Sequence, residues 1–476
     1  MLTFISDFFR KATEKQLVYL WLVFCFVALT YKLGGVPPYH SDENFYVESS
    51  RNMVESGDYL TPIYHHKKRF NKPILYYWLV SASYKIFGVN LTAARLASAF
   101  IGSLTIGLLY LISIRMFERR VAFYSILILP ATFLHFQISR WATTDIVMSF
   151  FILLAFYFFV RSYQADFEKS SDIYLFYGAM ALGFMTKGPP AIIIPGVVAF
   201  IFLAARKRAG SLSDMRVGQG LIIFLLVVLP WFATMYSLHG DEFTNHIIGA
   251  EIKERLVHNV PFSLYYFGVL FRYHLPWSLF LLAGVLHQLG IYNFFLASGS
   301  GWVSHLKQIP TNFKAQVRLL FARDNESVLL CYIWILVCLV LFVLVRTEHS
   351  RYMLPASPAV AILTAKFFAD MEKIKDGFNW PGYKVPAILT GAIFFVSGAF
   401  SGVALYVLDL FYPVPGQHFV LPVIFFAGGI VVFTLQKIKQ EGKQVFAISF
   451  ALILAFSFLS GDVLSHADRN PMKLFS

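Results

Sequence analysis

Charge is what this sequence has least of. Charged residues fill 14% of its 476 positions, against about a quarter in a soluble globular domain. That shortage excludes an ordinary water-soluble fold and an intrinsically disordered chain. Cysteine is scarce too. Cys25, Cys331 and Cys338 are the three in the chain, and each lies inside an apolar run, which excludes a disulfide framework and leaves them as packing residues. No HxH or HExxH spacing occurs, so there is no ready-made zinc motif. No low-complexity linker divides the chain, and no internal repeat is evident.

What the sequence has in abundance is apolar surface: 57% hydrophobic residues, with 51 Phe and 25 Tyr, and a mean hydropathy of +0.62. Runs near the spanning threshold of about 20 residues recur along the whole length. They fall at 16–36, 90–113, 121–138, 146–161, 173–186, 190–205, 217–238, 276–297, 327–345, 353–370, 385–409, 418–435 and 444–463. The expected fold is an all-α polytopic integral membrane protein, a single bundle over residues 1–476 of about 13 transmembrane helices with outer loops and juxtamembrane helices. The run at 73–88 is shorter and aromatic, which suits a helix at the membrane surface. Charges at Arg10–Lys15 precede the first run and no small-residue cleavage site follows it, so it reads as a retained span.

The net charge of +13 points to membrane topology and not to nucleic acid, because Lys and Arg collect in cytoplasmic loops. With the N-terminus inside and alternating spans, every inner loop is basic and the tail 464–476 lies outside. The outer side then carries a first loop at 37–72 and a second large loop at 239–275. No separate C-terminal soluble domain is expected. The first outer loop breaks the charge rule, since Arg51, Lys67, Lys68, Arg69 and Lys72 all fall on the side where basic residues are sparse.

Polar residues surface at that outer side in five places. "HSDENFY" offers Asp42 and Glu43, with Ser41 able to cap a helix beginning at Asp42 and Gly57 able to end it. The positive helix end favours an ionised Asp42, which suits a carboxylate that orients a nucleophile; equally, the pair could serve only the helix start. "FNKP" presents Lys72 ahead of a proline, either for a ligand or as an interfacial anchor. "SRWATTD" brings Arg140 and Asp145, "MTKGPPA" brings Lys187, and "RTEHSRYMLP" brings Arg351 and Tyr352. The outer histidines, among them His65, His66 and His274, are weak candidates for a divalent metal and read more simply as hydrogen-bonded interface residues.

In this order, Asp42-Glu43, Lys72-Pro73, Arg140…Asp145, Thr186-Lys187-Gly188 and Arg351-Tyr352-Met353-Leu354-Pro355 resemble the motifs of the membrane-embedded GT-C glycosyltransferases of the dolichyl-phosphate-mannose protein mannosyltransferase type. Within that group the chain is most similar to the bacterial aminoarabinose (L-Ara4N) transferases that modify lipid A. The resemblance covers residues 15 to 370. It implies a GT-C bundle in the bacterial inner membrane, with an inverting transfer at the periplasmic face from a polyprenyl-phosphate sugar to lipid A, another glycolipid or a protein. By that resemblance Asp42, Glu43 and Asp145 are the catalytic carboxylates. Lys72, Lys187, Arg351, Tyr352 and Arg140 hold the donor phosphate. Two positions depart from the aminoarabinose enzymes: Phe45 stands where they often carry Arg, and Asn71 where they often carry a Glu linked to zinc.

A transporter or lipid flippase is the rival class. Transporters place ionisable groups near the midplane. Here nearly every charge falls at or beyond a span end, with Lys32, Lys85 and Arg95 the nearest exceptions, which disfavours transport.

Overall fold

The computed structural model describes residues 13–455, leaving out 36–37, 39–40, 169, 209, 211–212, 248, 250–262, 290–314, 316–317, 346–347, 375–376, 411–415 and 437–443. The tail 464–476 and much of the loop at 239–275 lie outside the described residues. The chain is helical nearly throughout. It opens with α1 (Glu14–Thr30) and α2 (Ser41–Ser56), continues through a β1–β2 hairpin (Ile63–Tyr64 and Lys67–Lys68), and then forms α3 (Leu75–Phe87) and α4 (Leu91–Met116). Next come α5 (Arg119–Ile128), α6 (Phe133–Ser139), α7 (Thr144–Gln164), α8 (Ser170–Lys187), α9 (Pro190–Ala205) and α10 (Val217–His246). The remainder is α11 (Tyr265–Arg272), α12 (Trp277–Gln288), α13 (Glu326–Val345), α14 (Ser357–Lys373), α15 (Pro381–Asp409) and α16 (Val420–Thr434). A final apolar helix, α17, covers Gln444–Ala455.

Among the described residues six helices are long and apolar enough to cross a bilayer, or up to eight if each of two bent pairs is one span. The chain is thus a helical multi-span protein. The larger expected number counts shorter helices, such as Pro190–Ala205 and Val420–Thr434, that fall below that length. The bends lie at prolines. The run expected as one span at 121–138 turns by 63° between Arg119–Ala131 and Phe133–Ser139, where Pro130 sits in a short 3-10 turn. The second pair, Tyr265–Arg272 and Trp277–Gln288, meets at 107° beside Pro276. Proline lacks the amide that would continue the helical ladder.

Helix α3 has 13 residues, about 20 Å at 1.5 Å per residue, short of a hydrocarbon core. It buries Tyr76, Tyr77, Val80 and Tyr84 and packs between α2 and α4. Asn90 caps α4, its Oδ1 accepting from Ala93 N at 2.9 Å. The two-stranded hairpin departs from the all-helical expectation. His65 and His66 make its turn, with φ of 47° and 62°, the backbone that a two-residue turn between twisted strands requires.

The same loop is fastened to α10. Thr61 Oγ1 and His239 Nε2 are 2.9 Å apart, Lys68 Nζ donates to Glu242 at 2.7 Å, and Phe70 packs edge-on against Phe243. In the centre, α7 lies between α4 and α8 and against the 3-10 turn Ser350–Ala356. That packing sets up the site.

Candidate active site

Four segments meet where α7 begins and α8 ends. Asp42 and Asp145 lie in the first turns of α2 and α7, where exposed backbone amides and the helix dipole favour a carboxylate. Lys187 is in the last turn of α8, where a cation is favoured. Gly188 stops that helix at φ +98°, and Pro190 opens α9. The fourth segment is the turn Ser350–Ala356, which supplies Arg351 and Tyr352.

These side chains form one alternating chain of charges. Asp42 pairs with Arg351. Arg351 Nε lies 3.5 Å from Asp145 Oδ2, and Asp145 pairs with Lys187. Lys187 Nζ stands 4.5 Å from the centre of the Tyr352 ring, a cation–π distance. Asp145, Lys187 and Arg351 are buried, whereas the Asp42 side chain keeps 38% of its surface. The buried Arg351 Nε–H has an ion-pair neighbour but no hydrogen-bond partner. Two carboxylates and two cations balance, so the cluster is near neutral and retains donor capacity.

Tyr46, one helical turn after Asp42, is buried against Tyr76 and Tyr77. Burial pushes its phenol well above the ordinary value, and the Arg69 charge opposes that rise. Arg69 lies on the same side of α2, its Cζ 3.5 Å from the centre of the Phe45 ring. Neither Tyr46 nor Arg69 stood out as a site residue in the sequence; the signal available was the three- and four-residue spacing of Asp42, Phe45 and Tyr46 on one helix face.

Glu43, Arg140 and His274 are engaged elsewhere. Glu43 faces Arg95 of α4, with Arg95 Nε to Oε1 at 2.6 Å and Nη2 to Oε2 at 2.8 Å. Ala142 N also donates to Glu43 Oε1, at 2.9 Å. Arg140 donates to the carbonyls of Ala28, Leu29 and Tyr31, closing the C-terminus of α1. His274 is buried, with its ring nitrogens 2.9 Å from Leu270 O and 2.8 Å from Ser357 Oγ. His65 and His66 are exposed turn residues. Lys72 is half-buried in the loop after the hairpin and donates to Asn71 O at 2.9 Å. Among the described residues no group of three or more His, Cys, Asp or Glu could hold a metal ion.

The multi-span helical fold has a solved counterpart. The crystal structure of ArnT from Cupriavidus metallidurans bound to undecaprenyl phosphate superposes with a TM-score of 0.72 at 20% identity, over 95% of this chain and 78% of that one. Residues 71–233 match the family described as dolichyl-phosphate-mannose-protein mannosyltransferase. The segment contains Lys72, Asp145 and Lys187; Asp42 and Arg351 flank it. Among curated relatives, a protein of Aquifex aeolicus without an assigned function is 30% identical over 73% of this chain and 63% of its own length. The undecaprenyl phosphate-alpha-4-amino-4-deoxy-L-arabinose arabinosyl transferase of Aeromonas hydrophila is 27% identical over 75% and 60%. The chain therefore spans about three fifths of the length of these relatives.

Proposed function

We propose that this protein is an inverting glycosyltransferase of the inner membrane, moving a sugar from a polyprenyl-phosphate donor to an acceptor at the periplasmic face. The observation that carries the reading is the convergence of Asp42, Arg351, Asp145 and Lys187 from four distant segments. The arabinosyl transferase named above supports a polyprenyl-phosphate donor, and the basic inner loops support the orientation.

The chemistry follows from charge. The donor phosphodiester carries one negative charge. As the bond between the anomeric carbon and the phosphate oxygen breaks, the leaving polyprenyl phosphate gains a second, and the acceptor oxygen bonds to that carbon from the opposite face. Preorganised cations stabilise the charge as it develops. Lys187, Arg351 and Lys72 fill that role, with the Tyr352 ring holding the Lys187 ammonium in place. A phosphate that engages Arg351 competes with Asp42 for the guanidinium and so releases the Asp42 carboxylate. Asp42 can then orient an acceptor hydroxyl and accept its proton, while Asp145 keeps Arg351 and Lys187 apart and aligned. Glu43 holds the base of α2 through Arg95.

Lipid A or another glycolipid is the acceptor we favour, on the strength of the aminoarabinose resemblance. Mass spectrometry of envelope glycolipids and glycoproteins from cells lacking the gene tests this. Loss of one sugar mass from a glycolipid, restored by the wild-type chain and not by Asp42→Asn, supports the assignment. The same loss from a protein moves the acceptor to protein, and unchanged spectra in both fractions reject glycosyl transfer.

A further inference from the structure

The four paired charges of the site balance one another, so an arriving phosphate adds negative charge that they do not offset. Lys72 offsets part of it in the reading above, and Arg69 can add to that. Its guanidinium is stacked on Phe45, 3.5 Å from ring centre to Cζ, and Phe45 in turn meets Tyr64 edge-on at 4.7 Å. The main chain at Arg69 is fixed as well, its N–H donating to Pro62 O at 2.8 Å. Arg69 Nε is enclosed and has no hydrogen-bond partner, and among the described residues no carboxylate pairs with Arg69. Its neighbours differ: Arg51 is paired with Glu55 and Lys68 with Glu242. A half-buried arginine held over an aromatic ring with its Nε–H unspent is preorganised for an oxyanion. Phe45, which carries it, lies about one helical turn along α2 from Asp42, on the same face.

We propose that Arg69, positioned by Phe45, binds the phosphate of a lipid-linked substrate beside Asp42. This rests on the glycosyltransferase reading above and names a residue which that reading does not use. The shared chemistry is a lipid-borne phosphate, supplied by the polyprenyl-phosphate donor or by a phosphorylated glycolipid acceptor.

The test is a titration of full-length protein in nanodiscs with undecaprenyl phosphate, with undecaprenol as its uncharged control, and with a monophosphorylated glycolipid. Arg69→Ala weakens one phosphorylated lipid about tenfold or more, one decade corresponding to about 1.4 kcal/mol, and leaves undecaprenol unchanged. Which phosphorylated lipid responds tells donor from acceptor. Arg69→Lys recovers part of the affinity, since it keeps the charge and loses the plane. Phe45→Leu weakens binding by severalfold in the wild type and adds nothing in the Arg69→Ala background, which separates positioning from general damage. Unchanged affinity of Arg69→Ala for both phosphorylated lipids overturns the proposal while the functional reading stands. A wild-type chain that binds neither lipid overturns that reading and this inference with it.

Discussion

Asp42 and Glu43 are consecutive residues on one helix, yet their surroundings differ in kind. Glu43 is 1% exposed and saturated: both oxygens take Arg95, one also takes Ala142 N, and Arg95 spends a further N–H on Leu33 O at 2.8 Å. Asp42 is partly open and shares Arg351 with Asp145, and Arg351 keeps an unsatisfied Nε–H. One carboxylate has no capacity left for a ligand, and the other belongs to a cluster that does. Burying two ions costs several kcal/mol each, and only complete pairing offsets it. A closed pair is therefore an anchor. An open chain of charges is a place where a substrate completes the set.

Breaking each side of that comparison has a different signature. The largest effect is expected for Asp42→Asn: sugar transfer falls by about 100-fold or more, the range of a lost proton-transfer group, while the thermal midpoint stays near wild type. Glu43→Ala reverses the pattern. It removes the carboxylate that receives two N–H groups of the buried Arg95, costing about 3–5 kcal/mol, and is read as a lowered thermal midpoint and reduced yield of folded protein. Asp145→Asn follows, since it removes the carboxylate between Lys187 and Arg351; transfer falls by about tenfold or more, with one decade about 1.4 kcal/mol of transition-state stabilisation. Tyr352→Leu takes the ring from beneath Lys187 and costs about 0.5–2 kcal/mol, measurable as a few-fold loss of donor affinity.

The smallest effect concerns His349, in the loop beside the site. Burial first, then Arg351 and Lys187, lowers its pKa, against the opposing pull of Asp42 and Asp145. The unfolded chain therefore takes up this proton before the folded one does. Stability is full above the unfolded value of about 6.5 and declines as pH falls below it. Thermal midpoints from pH 7.5 to 5 check this, and His349→Gln flattens the decline.

The helices were legible because long apolar runs leave little choice of structure in a bilayer. Asp42, Asp145, Lys187, Arg351 and Tyr352 were legible as polar residues at run ends, and the structure gathers them into one cluster. What was not legible is who pairs with whom. Arg95 stood out as a charge inside an apolar run, but nothing local to position 95 names Glu43, 52 residues away. Arg140 looked like a ligand residue beside Asp145; its actual partners are carbonyls of α1, over 100 residues earlier. His274 reads the same way, with its partner Ser357 83 positions on. The breaks at Pro130 and Pro276 did carry a local signal, the prolines themselves.

The most direct test of the central claim is binding of undecaprenyl phosphate to Arg351→Ala beside Lys67→Ala/Lys68→Ala. Lys67 and Lys68 are exposed on the hairpin of the same loop, so they report any diffuse attraction between a basic surface and an anionic lipid. The account predicts that Arg351→Ala weakens the affinity about tenfold or more, through loss of a charge-assisted hydrogen bond, and that the double hairpin variant binds within about twofold of wild type, as expected for solvent-screened charges. Equal losses in the two variants would contradict it, because the charge cluster at the start of α7 would then hold no privileged place for the phosphate.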